Sequence, residues 1–216
     1  MDFSIINRTL PILLKGSLMT IELTVFTIVL GSILGISVGL LKLSKNKVIY
    51  FISSLYTWMF RGTPLLLQLF FFYYGLPNLG LNLSPMNAAI LGLSLNCGAY
   101  MAEIVRGGIL SIDKGQFEAA KALGFNYIQT MLKIILPQTY RRLIPPIGNQ
   151  FISMLKDTSL VSSIAMVELM RSAQQMYATT FKPIEIFFVT GCIYLLMTTV
   201  FTAFFSVLEK RLSIYE

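Results

Sequence analysis

The chain has 216 residues, 55% of them hydrophobic and 12% charged, with no histidine and a formal net charge of +7. A water-soluble domain carries roughly a quarter charged residues, so lipid must cover much of this surface. The missing histidine removes the commonest general base and metal ligand, and the basic residues cluster between apolar segments, as in a membrane protein that sets its orientation rather than one that grips nucleic acid. Cys97 and Cys192 lie in apolar stretches, form no CxxC pair and read as small buried residues.

The predicted elements follow in chain order. Residues 1–16 carry Asp2, Arg8 and Lys15 and do not read as a cleaved signal peptide. Residues 18–41 carry one charge, Glu22, and as a helix would reach ~36 Å, enough to cross a ~30 Å hydrocarbon core. Lys42, Lys45 and Lys47 follow. Residues 48–60 predict an interfacial helix, broken at Arg61-Gly62-Thr63-Pro64 because the residue before a proline avoids helical geometry. A second span then runs through the aromatic residues 70–74. Residues 76–85 form a turn-rich loop, and 86–110 form a third span carrying Glu103 and Arg106.

Residues 111–142 are the one long polar region. Asp113 and Gln116 predict a capping box that opens a helix through Glu118-Ala119-Ala120, and Gly124 predicts its left-handed end. Asn126 and Gln129 predict a second cap, with a helix over 127–135 that stops before Pro137. A fourth span starts at 143, breaks at Lys156-Asp157-Thr158-Ser159, and resumes over 160–167. Residues 168–183 read as a polar loop and 186–208 as a fifth span. The fold class is therefore all-α, a polytopic membrane protein of about five spans in one domain, 1–216, with a helical loop at about 111–142. The lysine and arginine distribution predicts an outside N-terminus and a cytoplasmic C-terminus.

Glu118-Ala119-Ala120, Gly124, Ile134, Leu136 and Pro137 fit the pattern EAA-x3-G-x9-I-x-L-P. This resembles the cytoplasmic loop signature of ABC importer permeases. The stretches 60–65, 100–109, 116–124 and 155–160 resemble the subfamily for polar amino acids such as histidine, glutamate, glutamine, arginine and opines. The resemblance runs over nearly the whole chain. It implies a permease of the bacterial plasma membrane, with a helix bearing Glu118, Ala119 and Ala120 that docks in a cytoplasmic ATPase and Gly124 as the turn. It also implies two ATP-binding subunits, a second permease chain (identical or related) and an extracytoplasmic amino-acid-binding protein. The chain carries no G-x-x-x-x-G-K-[ST] loop, so it is no ATPase: ATP and magnesium belong on the partner, and no cofactor or metal is expected here.

Ionisable residues inside spans are functional candidates. Glu22 stands alone in its span. Asn96, Tyr100 and Glu103 recur at i, i+4 and i+7, on one helix side. Lys156, Asp157 and Thr158 sit at a helix break, where unpaired backbone groups can hold a substrate's charged ends. These seven form the candidate substrate site, and its three carboxylates suggest a cationic amino acid. Each admits a second reading: Glu103 and Arg106 as mutual neutralisers, Lys156 and Asp157 as a hinge or subunit contact. Arg61 reads as an interfacial anchor, and Gly31, Gly35 and Gly39 as a helix-packing stripe. An ATP-independent transporter or channel is the competing class, but no second half resembles the first.

Overall fold

A computed structural model describes residues 3–212, and among these the chain is helical with no strand. The outermost residues of the expected single domain, 1–2 and 213–216, lie outside that range.

Helix α1 (Phe3–Leu41) is 39 residues long and begins well before the expected residue 18. Pro11 sits inside it without ending it. The extra length is held by packing: Leu13 is fully buried, and Gly16 lies against α8 (Leu169–Thr180) so closely that a Cβ there would meet the Leu169 Cα at 2.9 Å. Helix α4 (Pro85–Leu110) packs along the other half of α1. The glycine stripe makes that seam: a Cβ at Gly31, Gly35 or Gly39 would approach Cys97, Met101 or Ala102 atoms to within 2.3–2.8 Å. Small residues let two backbones approach this closely, and dispersion contacts then hold the helices without a hydrophobic driving force.

Helix α2 (Lys47–Gly62) is inside out by the standard of a soluble protein. Its buried side carries Ser53, Thr57 and Phe60, whereas Val48, Phe51, Ile52 and Trp58 are exposed, Trp58 by 73%. Lipid makes that arrangement favourable, since the apolar side then stays out of water. The expected break follows at Thr63-Pro64, then α3 (Leu65–Phe70), a π-turn (Phe71–Gly75) and a 3-10 turn (Leu76–Leu79).

Helices α5 (Lys114–Ala122) and α6 (Tyr127–Thr130) form the polar hairpin. Here the structure corrects the sequence reading. The chain does not stop before Pro137: α6 runs through a π-turn (Met131–Ile135) directly into α7 (Leu136–Asp157). Leu136 N–H reaches back to the Met131 carbonyl, and Pro137 falls at the start of the next register, where its missing N–H costs little. The apolar stretch after Asp157 is not a resumed span either. It is a 3-10 turn (Thr158–Ile164) ended by Ala165 at φ 62°. The expected polar loop over 168–183 contains α8, and α9 (Pro183–Leu212) completes the chain.

Helices α1, α4 and α9 are long and apolar enough to cross a membrane. The segment Leu65–Leu79 is apolar but shorter, and α7 has the length but carries a polar side. Cys97 is buried as expected, whereas Cys192 lies exposed on α9.

Candidate functional site

The hairpin is built from local capping chemistry. The Asp113 carboxylate accepts the Gly115 N–H and caps α5. The expected box with Gln116 does not close, because Gln116 Oε1 instead accepts from Gln138 Nε2 at 3.2 Å. At the far end Gly124 adopts φ +79°. Its N–H donates to the Lys121 carbonyl and the Phe125 N–H to the Ala120 carbonyl, both at 3.0 Å, the two bonds of a Schellman ending. The second capping box forms as expected: Asn126 Oδ1 accepts the Gln129 N–H at 2.9 Å and Gln129 Oε1 accepts the Asn126 N–H at 3.0 Å. Glu118 and Ala119 are exposed on α5, but Ala120 is turned inward and buried.

The hairpin is fixed to the ends of α4 and α7. Val105, Ile109, Ile112, Met131 and Ile135 make a small core beneath it, joined by Phe117 and Leu143. Arg142 donates to the Ser111 carbonyl and hydroxyl.

Asn96, Tyr100 and Glu103 do lie along one side of α4, facing the break between α2 and α3. Asn96 Nδ2 donates to the Phe60 carbonyl at 3.1 Å and to Gln68 Oε1 at 3.0 Å, and Gln68 Nε2 donates to the Phe60 and Thr63 carbonyls. These amides satisfy carbonyls that the broken helix leaves without partners. Arg61 stacks over the Tyr100 ring at 5.3 Å and lies 3.9 Å from Glu103, so it points into the chain instead of anchoring alone at an interface. Glu103 is bonded by Lys42 and, at 2.9 Å, by Arg106, while Lys42 also donates to Thr57 Oγ1. One carboxylate thus ties the end of α1 and the end of α2 to α4. As a substrate ligand it would have to exchange these partners.

The other candidates stand apart. Glu22 is exposed on α1, on the side opposite buried Thr20, Thr24 and Thr27, whose hydroxyls bond carbonyls of their own helix. Lys156 is exposed and Asp157 half-buried at the end of α7, while Thr158 is buried with its hydroxyl on the Leu155 carbonyl at 2.8 Å.

Sequence reasoning missed Glu168. It is fully buried between α1, α8 and α9. Its carboxyl accepts the Met170 and Arg171 N–H groups at 2.8 Å, the Tyr194 hydroxyl at 3.1 Å and the Thr20 hydroxyl at 3.2 Å. Burial pushes this carboxyl above the usual range, against the pull of those donors. The local signal was an acidic residue before Leu169, Ser172 and Ala173, which are buried at helical spacing.

Residues 27–214 match the family described as binding-protein-dependent transport system inner membrane component. The chain is 39% identical to the arginine transport system permease protein ArtQ of Bacillus subtilis, covering 98% of this chain and 97% of that one. It is 40% identical to the L-cystine transport system permease protein TcyB of the same organism, covering 95% and 88%. A crystal structure of an amino acid ABC transporter with histidines contains a chain that superposes with a TM-score of 0.94 at 36% identity, covering 98% of this chain and 99% of that one. Apolar helices long enough to cross a membrane, a capped hairpin clamped to the ends of α4 and α7, and this match over nearly the full length lead to one identification: the chain belongs to the family of inner membrane components of binding-protein-dependent transport systems and is a permease subunit, not an enzyme.

Proposed function

We propose that residues 1–216 form a single translocation domain that carries a polar amino acid inward, driven by separate ATPase subunits. The observation that carries this reading is the exposed pair Glu118 and Ala119 on a short helix fixed to the ends of α4 and α7. A small residue beside a carboxylate suits insertion into a groove with a basic lining. Two ATP-binding subunits that hold ATP and magnesium would each take one such helix, and a second permease chain completes the path around a two-fold axis. An extracytoplasmic binding protein delivers the substrate. The hairpin then lies in the cytoplasm with the C-terminus, and the N-terminus lies outside.

The substrate class we favour is cationic. Glu22, exposed within α1, and half-buried Asp157 offer carboxylates at two places, and Lys156 offers a donor for the substrate carboxylate. The arginine and cystine relatives are almost equally similar, so overall identity does not choose between substrates. Asn96, Tyr100, Glu103 and Thr158 complete the proposed substrate region by holding its helices in place.

The test is uptake and ATP hydrolysis by the assembled transporter in liposomes with its binding protein. Glu118→Lys is expected to lower substrate-stimulated hydrolysis at least tenfold, about 1.4 kcal/mol of docking, while the permease stays folded. Gly124→Val, strained by about 1–2 kcal/mol at its positive φ, should also uncouple. Uptake that continues without ATP and ignores both changes would replace the importer with an ATP-independent transporter. Glu22→Gln should reduce arginine uptake more than glutamine uptake, and equal losses would remove the cationic preference.

A further inference from the structure

The two ends of the molecule carry different chemistry. At one end, Gly39 of α1 packs against Val105 of α4, beside the hairpin and its small core. Arg8 lies about 45 Å from Gly39 along the same helix at 1.5 Å per residue, which exceeds a ~30 Å hydrocarbon core. The start of α1 therefore stands clear of the hydrocarbon at the end away from the hairpin. The last turns of α8 lie beside it. Residues of both helices line a groove of about 270 Å³, with Ile5, Ile12 and Met176 as its apolar part and Arg8, Thr179 and Thr180 as its polar part. Residues 76–84, which lead into the far end of α4, carry no charge.

The groove holds one strong unused group. The Thr179 and Thr180 hydroxyls already donate to the Met176 carbonyl, at 3.0 and 2.8 Å. Arg8 is exposed and has no hydrogen bond or ion pair among the described residues. Its planar guanidinium suits a carboxylate, which it can take through two parallel bonds. Ile5, Ile12 and Met176 suit the methylenes behind such a group. Cations also outnumber carboxylates at this end, with Arg8, Lys15, Arg171 and Lys182 against Glu22 and Glu185. Next to Thr180, Phe181 turns the chain out of α8 at φ 55° and is 78% exposed. A bulky residue at positive φ is strained, and here the ring gains no burial in return. A partner that covers it would supply that burial.

We propose that the groove between the start of α1 and the end of α8 is the seat for an acidic loop of the extracytoplasmic binding protein. The inference rests on the transport reading above and adds where that partner docks. A glutamate or aspartate of the loop pairs with Arg8, its methylenes cover Ile5, Ile12 and Met176, and an apolar neighbour covers Phe181. Lys15 and Lys182, both exposed, steer the acidic surface toward the groove without having to bond it. The loop touches α1 and α8 together, and these two helices meet again at Gly16 and Leu169. Docking therefore bears on both helices at once.

The experiment titrates the substrate-loaded binding protein against the complete transporter in liposomes and reads ATP hydrolysis. Arg8→Glu is expected to raise the binding-protein concentration for half-maximal hydrolysis at least ~10-fold, because it sets like charges against each other. Hydrolysis at saturating binding protein and basal hydrolysis without it should both stay at the wild-type level. Arg8→Lys keeps the charge but loses the fork, so its half-maximal concentration should fall in between. Asn82→Glu adds the same charge to the exposed loop before α4 and should leave the value unchanged. An unchanged value for Arg8→Glu would overturn the seat, and so would equal rises for Arg8→Glu and Asn82→Glu, which would mean diffuse repulsion. A second readout does not depend on the arginine. With Cys192→Ser removing the exposed native thiol and Cys97 buried, Thr179→Cys should react with a charged, membrane-impermeant methanethiosulfonate added outside. Loaded binding protein should slow that reaction, and no protection would overturn the seat. Wild-type transport that ignores the binding protein at every concentration would remove the importer reading itself, whereas a binding-protein response that is indifferent to Arg8 and Thr179 removes the seat alone.

Discussion

Gly35→Leu is expected to cost about 3 kcal/mol or more and to deplete folded transporter in the membrane. A Cβ at Gly35 would sit 2.3 Å from the Met101 Cβ, 2.9 Å from the Gly98 carbonyl oxygen and 3.0 Å from the Ala102 nitrogen. Two of those three atoms are backbone, so no rotamer change relieves the clash. The helices must separate, and separation forfeits the dispersion contacts along the whole seam from Gly31 to Gly39. Leucine is a good helix former, so intrinsic propensity is not the cause. The control is Gly107→Leu on α4, where nothing lies within 4 Å of a Cβ. The measurement is the thermal midpoint of the purified transporter. Equal losses for the two variants would show that the α1–α4 seam tolerates a side chain after all.

Glu168→Ala should be nearly as damaging, by about 3 kcal/mol. It removes the cap of α8, worth about 0.5–2 kcal/mol on its own. It also leaves the Tyr194 and Thr20 hydroxyls and two backbone N–H groups facing a vacated buried position. Glu168→Gln keeps the size and one acceptor oxygen, and burial already favours the uncharged form of the carboxyl. It should therefore lose about 1 kcal/mol. Because the folded-state pKa is raised, the stability linked to this carboxyl is full at low pH and is lost as pH rises through that raised value. Glu168→Gln should abolish that dependence. A thermal midpoint no lower for Ala than for Gln would show that the carboxyl does not hold α1, α8 and α9 together.

The features legible in the sequence are those decided within a few residues. Gly124 declares a left-handed ending, Asn126 and Gln129 a reciprocal cap, and Thr63-Pro64 a break, because each depends on backbone geometry at its own position. The glycine stripe of α1 was legible because its spacing alone defines a face. What the sequence did not disclose depends on distant partners. Pro137 looks like a stop until the π-turn before it absorbs the register change. Residues 168–183 look like a loop because α8 is short and polar on average, and its cap Glu168 is held by Thr20 and Tyr194, far away in sequence. Asn96 looked like a ligand, yet its amide serves carbonyls freed by the break at Pro64, which no pattern on α4 announces.

The continuity of α6 with α7 has a mechanical consequence. A helix that stopped before Pro137 would place a joint between the hairpin and the membrane, and a push on the hairpin would be spent bending it. Instead Tyr127 to Asp157 is a single rod, roughly 45 Å long at 1.5 Å per residue. On the transport reading proposed above, such a rod would work as a lever. A small tilt at the hairpin end would then be carried along the arm to Lys156, each residue moving in proportion to its distance from the pivot. The π-turn and the Pro145-Pro146 pair, which removes two backbone N–H donors from the ladder, are the compliant places on that arm.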